Sequence, residues 1–204
     1  MDKFVDFILW IPGLLLALTL HEYAHGRVAY AFGDPTAKKL GRLTLNPLAH
    51  LDPIGTLALL LFHFGWAKPI PVNPYFFRNP RRDMVFVSIA GPGVNLILAV
   101  ISGFVLKALT MSGQARSPLW MMVMYTMDIN AILMIFNLIP IPPLDGSKIL
   151  FGITNMAAST MTALERTGPF ILLGLILLGS MTGFNLLGIV ILPAVVFFRM
   201  LFAG

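Results

Sequence analysis

Three ionisable residues in five positions, His21, Glu22 and His25, interrupt an otherwise apolar run. The pattern is His-Glu-x-x-His. On a helix, residues four apart return to within about 40° of one face, while Glu22 lies about 100° around from His21. Two imidazoles so placed can bind one zinc ion, and the neighbouring carboxylate can take a proton from a water at the metal. Five-residue patterns also arise by chance in soluble helices, where such histidines simply pack. The setting argues against that here. Residues 7–20 carry no charge and residues 28–32 are apolar again. Ionisable groups inside a membrane span are costly and usually functional.

The elements that must position this cluster are apolar. Hydrophobic residues make up 57% of the 204 and charged residues 11%, with mean hydropathy +0.85. Those values indicate an integral membrane protein and one domain, residues 1–204. There is no cysteine, so disulfides and thiolate ligands are excluded, and a metal must be held by His and carboxylate. The net charge of +5 does not point to nucleic acid, because the basic residues flank apolar segments as topology signals do. The N-terminus resembles neither a cleaved signal nor a transit peptide.

Spans are expected over residues 4–30, 84–109 and 119–139, each long enough to cross the ~30 Å hydrocarbon core. Gly33-Asp34-Pro35 stops the first. Gly26 and the Gly91-Pro92-Gly93 group permit close approach of neighbours. Residues 54–66 are too short to cross and read as re-entrant or interfacial. Residues 40–45 alternate apolar and polar, which predicts a short β-strand or hairpin near the metal site. Residues 147–167 are mixed in character, suiting a helix partly at the interface. Residues 170–201 are apolar with breaks at Gly183 and Pro193, compatible with either a kinked helix or a shallow hairpin. The expected fold is therefore an all-α polytopic membrane bundle with one small β element. Lys38, Lys39, Arg42, Lys68, Arg78, Arg81 and Arg82 lie between the first two spans, against Lys107 and Arg116 between the next two. By the positive-inside rule the 34–82 segment is cytoplasmic. The second half of span one and the end of span three then share one depth near the cytoplasmic side.

A catalytic zinc takes three protein ligands and leaves one position open. His50 and His63 read as structural. The third ligand is then a carboxylate, Asp145 or Asp128. Asp145 follows the rigid Pro140-Ile141-Pro142-Pro143-Leu144 loop at the favoured depth, where an alternative role is capping a helix. Asp128 lies in mid-span and needs a partner, such as a polar path with Asn130.

Three segments in this order resemble the site-2 protease family of intramembrane zinc metalloproteases: His21-Glu22-x-x-His25, Gly91-Pro92-x-x-Asn95, and the run from Asn137 through Pro140, Pro142 and Pro143 to Asp145-Gly146. The similarity covers most of residues 7–150. It implies one Zn2+ per chain on His21, His25 and Asp145, with Glu22 as proton carrier, Asn137 as oxyanion stabiliser and Asn95 as a core-building residue. It implies hydrolysis of peptide bonds in or near transmembrane segments of membrane-protein substrates, by a minimal core without an inserted PDZ or appended regulatory module. A helical substrate must unwind first, and an edge strand at residues 40–45 could hold it extended. A small transporter using the same His and Asp ligands, or an inactive scaffold, is the competing expectation. Glu22 argues against both, because neither needs a base beside two ligands.

Overall fold

The computed structural model describes residues 3–62, 65–183 and 185–203, so His63 lies outside the described residues. The chain forms helices α1 (Lys3–Ala31), α2 (Thr36–Lys39), α3 (Pro53–Phe62), α4 (Pro80–Met111), α5 (Pro118–Leu138), α6 (Asp145–Ile153), α7 (Ala158–Thr182) and α8 (Leu186–Phe202), with short 3-10 turns at Pro47–His50 and Pro74–Phe76. Four of these, α1, α4, α5 and α7, are long and apolar enough to cross a membrane. Large apolar side chains such as Leu16, Ile97, Ile101, Phe104 and Ile189 face outward. A soluble domain would hide such a belt, whereas a bilayer solvates it. Four such helices with an outward apolar belt are the architecture of an integral multi-pass membrane protein.

The helices begin where their sequences satisfy the first free N–H groups. Asn79, Ser117 and Asn185 accept from Arg82, Trp120 and Gly188 at the starts of α4, α5 and α8, and Pro80 and Pro118 occupy the first turn, where a missing N–H costs nothing. α4 and α5 pack side by side, and α1 lies against both. Ala17 and Leu14 of α1 meet Ile129 of α5. α8 closes the other side, with Val195, Phe198 and Phe202 against Ala99, Leu106, Met127 and Ala131. The 170–201 region is thus a hairpin of two helices. It turns at Gly183, whose φ of +74° caps α7 without the Cβ penalty of other residues.

Between α1 and α4 the chain stays at one end of the bundle. α3 has 10 residues, too few to cross. The chain leaves at Leu51 and returns beside it at Ala67, where the two form an antiparallel bridge. Asp34, buried at the end of α1, accepts hydrogen bonds from Thr36 N and, at 2.7 Å, from Asn73 N, tying the two ends of the loop together. α3 is therefore a short helix on an excursion whose described flanks, at Leu51 and Ala67, meet again side by side.

The expected strand at residues 40–45 is absent, and no strand occurs among the described residues. Gly41 takes a left-handed φ of +66°, and Arg42 N closes a turn onto Ala37 O. Asn46 and Pro47 then start a 3-10 turn. The alternating run is held at both ends by turns and has no partner strand, so side-chain alternation alone does not extend it.

Candidate metal centre

α1 presents His21 and His25 on its inner face, one turn apart. Their Nε2 atoms are 3.0 Å from each other. Asp145, the first residue of α6, brings Oδ2 to 3.2 Å from His21 Nε2 and 3.1 Å from His25 Nε2. All three residues are buried. The loop from Pro140 delivers Asp145 here, and Ser147 Oγ donates to Leu144 O at 2.7 Å to close the first turn of α6. α6 is fixed in turn by Arg81 of α4, whose guanidinium bonds Gly152 O, Thr154 O and Asn155 Oδ1. Asp145 does not cap the helix, a position held by Leu144. Its second oxygen faces the exposed Lys148 at 3.8 Å.

The protonation of this cluster follows from its outer partners. His21 Nδ1 lies 2.6 Å from Asn95 Oδ1, and His25 Nδ1 lies 2.7 Å from the Val87 carbonyl. Both partners are acceptors, so both Nδ1 atoms carry the proton, and each Nε2 of a neutral ring is a lone pair. Two nitrogen lone pairs and a carboxylate oxygen thus converge in a buried place, and Asp145 Oδ2 has no hydrogen-bond donor. Three bases at this spacing need a cation between them. Ligand atoms on a tetrahedral zinc with ~2.0–2.1 Å bonds stand about 3.3 Å apart, close to the 3.0–3.2 Å found here. The residues present fit zinc.

α4 forms the wall behind the imidazoles. A Cβ on Gly91 would lie 2.4 Å from His25 Nε2 and 2.6 Å from His21 Cε1, so only glycine lets the backbone come this near. Pro92, next along, removes the N–H that the Ser88 carbonyl would otherwise bind, loosening α4 beside the Val87 carbonyl that orients His25.

Glu22 is buried beside the pair, and its Oε2 accepts from Ile70 N at 2.7 Å. The loop that carries Ile70 also fills the space over Gly26, where a Cβ would meet Ile70 Cδ1 at 2.4 Å. Gly26 thus admits a loop rather than a helix. Asn137, half-buried near the end of α5, donates to its own helix at Leu133 O, 3.0 Å away. Asp128 is turned from the centre and pairs with Arg199 of α8 at 2.5–3.1 Å. Two residues apart on a helix means about 200° of rotation, so Asn130 points the other way, towards Asn95, and no Asp128–Asn130 path exists. His50 is buried and its Nε2 bonds Thr44 O at 2.8 Å, a structural role.

A cavity of about 480 Å³ lies between α1, α3 and α5, lined by Trp10, Leu14, Leu18, Leu59, Leu133 and Phe136 among others. Leu18 stands one turn before Glu22, and Leu133 one turn before Asn137. The apolar walls therefore lead along both helices towards those two residues.

Comparison with known proteins agrees with this geometry. Residues 9–181 match the family model described as Peptidase family M50. The chain is 48% identical over 160 residues to "Putative zinc metalloprotease YwhC" of Bacillus subtilis (strain 168), covering 74% of this chain and 73% of that one. It is 35% identical over 147 residues to "Putative zinc metalloprotease Rip2" of Mycolicibacterium smegmatis (strain ATCC 700084 / mc(2)155), covering 69% and 55%. The Rip2 of Mycobacterium tuberculosis (strain ATCC 25618 / H37Rv) is 33% identical over 180 residues, covering 84% and 66%. No solved structure matches the chain. The chain belongs to peptidase family M50, the site-2 protease family. It spans between about half and three quarters of the relatives it matches.

Proposed function

We propose that this chain is an intramembrane zinc metalloendopeptidase that cuts peptide bonds in or near transmembrane segments of other membrane proteins. The observation that carries the reading is a buried His21–His25–Asp145 centre with a carboxylate, Glu22, beside it inside a bundle of apolar spans. His21 Nε2, His25 Nε2 and Asp145 Oδ2 would hold the ion. Zinc bound there supplies Lewis acidity, which lowers the pKa of water towards ~7 and polarises a carbonyl.

The chain's own groups do the rest. Glu22 takes the water's proton on a carboxylate oxygen and later gives it to the leaving amine. The Ile70 N–H fixes the orientation of that carboxylate through Oε2. Asn137 offers its amide to the developing oxyanion after leaving its own helix backbone. The apolar cavity beside α1 and α5 accepts the flanking part of a hydrophobic substrate segment. Amide groups in a helix are shielded by their hydrogen bonds, so the substrate unwinds at the cut. The excess of basic residues between α1 and α4 supports a site towards the cytoplasmic side of the cell membrane.

The test is cleavage of a membrane-embedded peptide by the purified chain in proteoliposomes. Wild type should cut, and chelator treatment or His21→Ala should stop it. A chain that holds zinc but cuts no membrane-embedded sequence across a broad peptide set would overturn the reading.

A further inference from the structure

Asn95 does not act alone on His21. Its Nδ2 donates to Asn130 Oδ1 at 2.8 Å, and Asn130 Nδ2 donates to the Thr126 carbonyl at 2.8 Å. Both asparagines are fully buried. An amide side chain has one accepting and one donating end, so this chain has a direction. The Thr126 carbonyl can only accept, which requires Asn130 to present NH2 to it and oxygen to Asn95. Asn95 must then give its NH2 to Asn130, with the Ala17 carbonyl also near that NH2 at 3.4 Å. Its oxygen is left for His21 Nδ1, at 2.6 Å. Each end settles the next, and the last step leaves the proton on Nδ1 and a lone pair on Nε2.

We propose that Asn130, in mid-span on α5, is a positioning residue of the metal centre. Through Asn95 it locks the tautomer and orientation of His21 in the zinc-binding form. Neither amide is solvent-exposed, so in the intact relay the alternative to this arrangement is amide reversal. A reversed Asn95 would turn NH2 towards His21 and favour the tautomer that carries its proton on Nε2, which cannot bind metal. The proposal rests on the zinc centre and not on the cleavage reaction. A chain that binds zinc and cuts nothing leaves it standing.

The test uses the full chain in detergent with zinc alone as the probe, titrated against a competing chelator. Asn130→Ala should raise the zinc dissociation constant by the ~10–100-fold typical of losing an outer partner of a metal-bound histidine. Asn130→Asp, as the neutral acid, can still accept from Asn95 and donate to Thr126 O, and should restore most of the affinity. Met127→Ala removes buried packing on the same helix without touching the relay, and should leave zinc affinity unchanged. In metal-free protein, the 15N signals of His21 should report the Nδ1–H form in wild type and a tautomer mixture in Asn130→Ala. Wild-type affinity in Asn130→Ala, an equal loss in Met127→Ala, failure of Asn130→Asp to rescue, or an unchanged tautomer would each overturn it.

Discussion

Replacing Gly91 by alanine adds one methyl group directly against the metal ligands. The new Cβ would stand 2.4 Å from His25 Nε2, 2.6 Å from His21 Cε1 and 2.6 Å from His25 Cε1. Relieving those contacts to ordinary carbon separations of ~3.5 Å takes a shift of about 1 Å. The rings cannot swing aside freely, because their Nδ1 atoms are tied to Asn95 and Val87 at 2.6 and 2.7 Å. Metal–ligand distances tolerate only about ±0.2 Å, so a 1 Å displacement exceeds that tolerance about fivefold. Zinc affinity should fall at least as far as the ~100-fold upper range for outer-shell defects. Gly93 is the control, since a Cβ there meets nothing within 4 Å. Gly93→Ala should keep wild-type zinc affinity and gain up to ~1 kcal/mol of helix propensity. Competitive zinc titration of the two variants reads the difference. Equal affinities would refute the reasoning that α4 forms a backbone wall behind the imidazoles.

Asp145→Ala should abolish stoichiometric zinc, whereas Asp128→Asn should retain it and lose about 1–3 kcal/mol from the weakened contact with Arg199; metal analysis and thermal melts separate the two. Zinc should protect the fold, with saturation at ~100 times the dissociation constant worth about 2.7 kcal/mol; an unchanged melting temperature on chelation would contradict a site that closes on α1 and α6 together. Cysteines at Lys39 and Arg82 should react with a membrane-impermeant reagent from one side only, the cytoplasmic one, and labelling from opposite sides would place a crossing between them.

The candidate metal group was legible because its chemistry is local. His21 and His25 share a helix face by spacing alone, and the proline-rich run before Asp145 marks a point where the third span must stop. The spans were legible from their length, with α1, α4 and α5 ending within a few residues of expectation. The run at residues 40–45 misled because alternation describes side chains, whereas a strand needs a partner backbone, and Gly41 and Asn46 commit the ends to turns. The 170–201 hairpin was open because an apolar run does not say which neighbour it covers; Phe198 and Phe202 decide it by packing on Leu106 and Met127. The ties of Ile70 N to Glu22 and Val87 O to His25 left no trace, since any residue supplies a backbone group. An amide in mid-span was the available signal for Asn130, but the partner it faces is set by helix rotation against α4.

The division of labour between Glu22 and the histidines is the most direct test of the hydrolytic account. Glu22→Gln keeps the shape and removes the base, and proteoliposomes carrying it should be assayed for bound zinc and for cleavage of a membrane-embedded peptide together. One zinc per chain should remain while cleavage falls by ~10²–10⁴-fold. Near-normal cleavage, or loss of zinc with the activity, would contradict the assignment of Glu22 as the group that moves the proton.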